Sequence, residues 1–130
     1  MKKGFVKRAL DRAERLGSRI VFAFDPVINP YKKRLDERYK ERSTIQIRVH
    51  SLLSELEGTI AGVKFGLPAI LALGPDGVEE IIDPFKKNYF FICDSKMADI
   101  SHVNRLVAEQ IFGLGFDALI IHAFIGAKGG

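Results

Sequence analysis

The sequence predicts an α/β domain built on a parallel sheet, and three observations carry that prediction. Short apolar runs alternate with longer amphipathic stretches between residues 19 and 124, the pattern of successive strand–helix units joined by right-handed crossovers. The runs are almost continuously apolar, as strands buried on both faces are. Polar residues stand at their C-terminal ends, where α/β proteins place their chemistry.

Size and composition narrow the possibilities. The chain has 130 residues, 47% of them hydrophobic, which fits one globular domain over residues 1–130 and excludes a disordered chain. Lys and Arg number 20 against 16 Asp and Glu, a net charge of +4. That suits a small anionic partner without requiring nucleic acid. Cys93 is the single cysteine, so no internal disulfide is possible, and a reducing, cytoplasmic setting is expected. Residues 1–17, MKKGFVKRALDRAERLG, lack the apolar centre of a signal peptide. No apolar run reaches the ~18 residues of a membrane span.

In chain order, residues 3–16 predict an amphipathic helix, with Phe5, Val6, Ala9, Leu10, Ala13 and Leu16 at helical spacing and Gly17 as its stop. Residues 19–26 predict a buried strand ended by Asp25 and Pro26. Residues 31–57 predict the longest helix. Its first part, YKKRLDERYKER, mixes both signs of charge and reads as a solvated face; its second carries the stripe Ile45, Val49, Leu52, Leu53, Leu56 before Gly58. Residues 60–66 predict a second strand with one lysine, Lys64. Pro68 opens a helix that Gly74-Pro75-Asp76-Gly77 interrupts, and residues 78–85 continue it. Residues 89–93, YFFIC, predict the third strand, and residues 94–99, DSKMAD, a charged loop. Helix is expected over 101–112, with Val103, Leu106, Val107 and Ile111 on its inner face, then a strand over 118–124.

Four strands therefore end in polar groups: Asp25, Lys64, the pair Asp94 and Lys96, and His122. Strand alternation puts Asp94 and Lys96 on one side, while Asp99 lies further along and need not point with them. In a βα barrel those ends meet at one face. Buried charges are tolerable there only as an alternating array of lysines and carboxylates, able to keep a lysine protonated as an acid beside an ionised carboxylate. Taken singly, Asp25 also suits a turn cap, Lys64 an edge strand from which it would snorkel, the Asp94, Lys96, Asp99 set a solvated loop, and His122 a core position. Cys93 reads as packing. No metal-ligand spacing and no Gly-rich phosphate loop is present.

The run Asp94-Ser95-Lys96-Met97-Ala98-Asp99-Ile100 resembles the D-x-K-x-x-D-I signature of orotidine 5′-monophosphate decarboxylases of archaeal and bacterial type. Val21-Phe22-Ala23-Phe24-Asp25-Pro26, Val63-Lys64-Phe65-Gly66 and residues 115–124 are similar to that family's first, second and fourth strands. The resemblance implies the first four units of a TIM (β/α)8 barrel and a cofactor-free, metal-free decarboxylation of orotidine 5′-monophosphate to uridine 5′-monophosphate in pyrimidine synthesis. It implies that Asp25 and Lys64 bind the ribose hydroxyls, that Asp94 lies against the substrate carboxylate, and that Lys96 protonates C6 within a Lys64, Asp94, Lys96, Asp99 array. It further implies a homodimer in which Asp99 and Ile100 reach into the partner's site, and it groups His122 with the substrate-binding residues. D-x-K-x-x-D alone is shared with sugar-phosphate decarboxylases and aldolases that use magnesium and typically carry a glutamate where this chain has Lys64.

Two departures from the family pattern qualify the resemblance. Ser101, His102 and Val103 stand where the family usually runs through a proline to a threonine, so a hydroxyl contact from position 103 is lost. Four strands make half a barrel, which needs ~200 residues or more, and the family's phosphate grip on the last strands is absent. The expectation is a piece of a longer enzyme. Two copies closing one barrel, a stand-alone open sheet, and a non-catalytic binding or assembly module are the alternatives.

Overall fold

The computed structural model describes residues 4–29, 31 and 34–126. Helix α1 (Phe5–Leu16) precedes four strand–helix steps: β1 (Val21–Phe24), α2 (Leu35–Glu55), β2 (Gly62–Gly66), α3 (Leu67–Ile82), β3 (Phe90–Met97), α4 (Ser101–Gly113) and β4 (Ala118–Ile121). The strands form one sheet in the order β1-β2-β3-β4, every neighbouring pair parallel. This is the partial (β/α)8 barrel that the sequence predicts.

Register and burial separate the two faces. Phe22 pairs with Val63, which pairs with Phe91, and Phe24 pairs with Phe65, which pairs with Cys93. Val63, Phe65, Phe91 and Cys93 are all 0% exposed, so this face meets the helices and carries the core with Val49, Leu53, Leu73, Val78 and Ile82. The other face carries Ala23, Lys64, Ile92 and Ala118 in one rung. There Val21 is 37% and Ile120 39% exposed, because no helix covers it.

Two helix ends depend on distant residues. Gly74 leaves the helical region (φ 69°, ψ 169°) before Pro75 and breaks α3 where the sequence predicts an interruption. The last carbonyls of α2 have no helical partners, and the buried Tyr89 hydroxyl donates to one of them, Leu53 O. Helix α1 packs at the opposite end of the sheet from the site. Phe5 meets Phe90 edge-on at 5.5 Å. Arg8 pairs with Asp117 at 3.0 Å, and Asp117 also accepts the Phe91 N–H at 2.8 Å. Arg12 donates to the carbonyls of Asn88 and Lys87.

Several expectations are corrected. Val6 and Leu10 are 68% and 61% exposed, so α1 turns a narrower face inward, because it lies across strand ends and not on a sheet face. The first and last strands are shorter than expected, ending at Phe24 and Ile121, and a single 3-10 turn over Ala123–Ile125 replaces the end of the last one. On α4, Leu106 is 49% exposed while Asn104 is 1% exposed: its inward face is set by a polar residue. Residues 1–3, 30, 32, 33 and 127–130, including parts of the predicted first helix and of the charged helix start, lie outside the described residues.

Candidate active site

Strand β3 runs on through the segment expected as loop. Asp94 pairs with Ile120 and Met97 with Ile121, so Ser95 and Lys96 stand opposite nothing in β4. Lys96 is a non-glycine residue at positive φ, 49°. A bulge with one residue in the left-handed region re-aims a side chain at the end of a strand. Here it folds the Lys96 ammonium back onto Asp94 at 2.8 Å. Asp94 and Lys96 do share a side, through this bulge and not through regular alternation.

Lys64 lies on β2, an internal strand, which rules out the edge-strand reading. Its ammonium reaches the same oxygen, Asp94 Oδ2, at 3.3 Å. The side chains of Lys64, Lys96 and Asp94 are 31%, 60% and 9% exposed, so a buried carboxylate lies under two partly open ammonium groups. The other carboxylate oxygen, Oδ1, is buried and accepts no hydrogen bond among the described residues, and the same holds for Ser95 Oγ. The Lys96 hydrogen bond holds the Asp94 carboxyl below its ordinary range; burial opposes this, and the Lys64 bond adds to it. The triad carries a net charge of +1 and suits an anion. The neighbouring Cys93 thiol is pushed up to about 11 by burial and by Asp94.

Asp25 follows Phe24, which pairs with Phe65, so it stands level with Gly66, and Gly66 pairs with Asp94. A Cβ on Gly66 would lie 1.8 Å from Asp25 Oδ1. The bare glycine is what lets the Asp25 carboxylate lean across β2 toward the array.

Within its own chain Asp99 stands apart from Lys64, Asp94 and Lys96. Its carboxylate accepts the Ile100 N–H at 2.7 Å, and Ile100 is 69% exposed. The reason is positional: Asp99 lies beyond the end of β3, just ahead of α4. His122 is not a core histidine. It stands exposed just past β4, its ring stacked on Phe124 at 5.2 Å. The sequence reading missed Gly66 and Asn104. The first had a signal in its place at the end of a strand, the second in a polar side chain among apolar helical positions. Among the described residues no three His, Cys, Asp or Glu side chains gather as a metal site would require.

The model of the orotidine 5′-phosphate decarboxylase / HUMPS family matches residues 18–129. The chain belongs to that family. The orotidine 5′-phosphate decarboxylase of Aeropyrum pernix is 41% identical over 73 residues, which are 56% of this chain and 30% of that protein. The crystal structure of the Sulfolobus solfataricus decarboxylase shares 27% identity at a TM-score of 0.62, covering 87% of this chain and 43% of its own. The Methanocaldococcus jannaschii decarboxylase, solved with the inhibitor BMP, shares the fold at a TM-score of 0.61 and 22% identity, covering 85% of this chain and 42% of its own. This member of the family thus spans less than half the length of these solved relatives.

Proposed function

We propose that this chain carries the decarboxylating residues of an orotidine 5′-monophosphate decarboxylase acting in cytoplasmic pyrimidine synthesis. One observation carries the reading: two ammonium groups converge on a single oxygen of a buried carboxylate. In the reaction the bond from C6 to the carboxylate breaks, carbon dioxide leaves, and the electron pair stays on C6. A fixed ammonium beside C6 stabilises that developing charge and then donates its proton. Lys96 has that role, held in place by Asp94 and the β3 bulge. Asp94 lies against the departing carboxylate, and Lys64 and Asp25 take the ribose hydroxyls. The inhibitor in the Methanocaldococcus jannaschii structure supports a nucleotide ligand.

Asp99 and Ile100 are exposed beyond the end of β3, which supports a homodimer that shares sites, each copy lending these two residues to the other. His122, at the same end of the sheet, is placed with the substrate contacts. No cofactor is required. A magnesium-dependent sugar-phosphate reaction is disfavoured by Lys64, whose ammonium stands 3.3 Å from the carboxylate that would have to hold the cation.

The test is the absorbance change of orotidine 5′-monophosphate with the 130-residue chain, Lys96→Ala serving as control. Turnover that falls at least ~100-fold in the mutant is expected for loss of the proton donor. A folded chain whose turnover is indifferent to Lys96 overturns the assignment.

A further inference from the structure

Asn104 is the one fully buried polar side chain on α4, 1% exposed. Asparagine is a poor helix former, and burying an amide is costly unless both its ends are hydrogen-bonded. Asn104 directs both ends at one residue. Its Oδ1 accepts the Asp99 N–H at 2.9 Å, and its Nδ2 donates to the Asp99 carbonyl at 2.7 Å.

That geometry has a specific consequence. The N–H and the C=O of Asp99 belong to the two different peptide planes that flank its Cα. One hydrogen bond would fix one plane. Two, closed through a single rigid amide, fix both, and so fix φ and ψ together and with them the direction of the Cα–Cβ bond. The remaining freedom lies in the side chain, where the Ile100 N–H holds Oδ1 at 2.7 Å. The other carboxylate oxygen is left to point outward. The arrangement occupies the place of a helix staple, which joins the residue before the N-cap to the fourth helical residue, usually by apolar contact. Here Ile100 is the N-cap and makes no side-chain cap bond, so the helix start is anchored to Asp99 by Asn104.

We infer that Asn104 is a positioning residue: it locks the backbone of Asp99 so that the Asp99 carboxylate is presented outward in a fixed direction. The use of that presentation in catalysis rests on the proposed function, in which Asp99 completes the array of a partner copy.

The experiment has one arm that needs no substrate. Amide hydrogen exchange is followed by NMR in the wild-type chain, in Asn104→Ala and in the isosteric Asn104→Asp, which keeps the acceptor for the Asp99 N–H. The Asp99 amide is expected to exchange at least ~10-fold faster in Asn104→Ala and to keep most of its protection in Asn104→Asp, while the Phe91 amide in β3 reports an intact fold. Equal Asp99 exchange in wild type and Asn104→Ala overturns the inference. The second arm measures turnover of orotidine 5′-monophosphate in Asn104→Ala, Asp99→Ala and the double variant. A misplaced group costs up to ~100-fold in kcat, and that loss is expected with KM little changed and with no further loss in the double variant over Asp99→Ala. Additive losses overturn it, since Asn104 would then act elsewhere. A wild-type chain without turnover defeats the proposed function alone, and the exchange arm still decides whether Asn104 holds Asp99.

Discussion

At the scale of single residues, the site turns on which lysine governs Asp94. Lys96 is closer than Lys64, 2.8 Å against 3.3 Å, and its hydrogen bond is the larger cause of the depressed carboxyl. Lys96→Ala is therefore expected to raise the Asp94 pKa more than Lys64→Ala does, read from the side-chain carboxyl carbon by NMR; the reverse order would show that Lys64 is the main partner. The sign for stability follows. A carboxyl depressed by folding contributes stability above its ordinary 3.8, and the contribution is lost as pH falls through the lower folded value. Cys93, 0% exposed with its thiol raised to about 11, should resist alkylation at neutral pH until the chain unfolds; rapid labelling of the native protein would show that β3 opens locally. Lys64, Asp94 and Lys96 were legible in the sequence because a charge inside or at the end of an apolar run has few physical excuses. Asn104 was not, because apolar periodicity treats a polar residue as an outward one, and its bonds to Asp99 become visible only in the fold.

At the scale of elements, strand existence and order were legible, and the geometry at strand ends was not. An apolar run says nothing about a bulge, so residues 94–97 read as loop, although they continue β3 with Lys96 in the left-handed region. The cost of that conformation is met by the bonds it allows, the strained position sitting at the site it serves. Gly66 shows the same limit, since its reason is a side chain on another strand. Gly66→Ala would place a methyl group 1.8 Å from Asp25 Oδ1, and the exposed Asp25 would move aside more cheaply than β2. The fold should survive while nucleotide affinity falls by ~10- to 100-fold, the equivalent of a charged hydrogen bond worth about 1.5–3 kcal/mol. Calorimetric titration with uridine 5′-monophosphate measures it, and unchanged affinity would separate Asp25 from the ribose. Tyr89→Phe tests the other end of the sheet. It orphans the Leu53 carbonyl at the end of α2 and should cost about 1–3 kcal/mol in denaturant unfolding; a neutral substitution would mean that the helix end finds another donor.

At the scale of the molecule, the chemistry and the incompleteness share one face. The helix-covered face buries Val63, Phe65, Phe91 and Cys93 at 0% exposure, while the face that carries Lys64 and Asp94 leaves Val21 and Ile120 at 37% and 39%. Strands β1 and β4 each have one unpaired edge. In a closed barrel those edges pair and that face becomes the interior. Half a barrel exposes both at once, and bare edges beside apolar surface template further pairing. The 130-residue chain should therefore bind a hydrophobic dye and associate with rising concentration in sedimentation velocity. Val21→Lys and Ile120→Lys, which put charge on the two edge strands, should weaken both effects without unfolding the helix-covered core. Addition of a polypeptide carrying the last four strand–helix units of a related decarboxylase should suppress dye binding by closing the sheet, whereas an unrelated helical protein should not. A chain that stays monomeric and binds no dye at any concentration would mean that the open face is already closed by a rearrangement of its own strands, and that the site geometry must change with it.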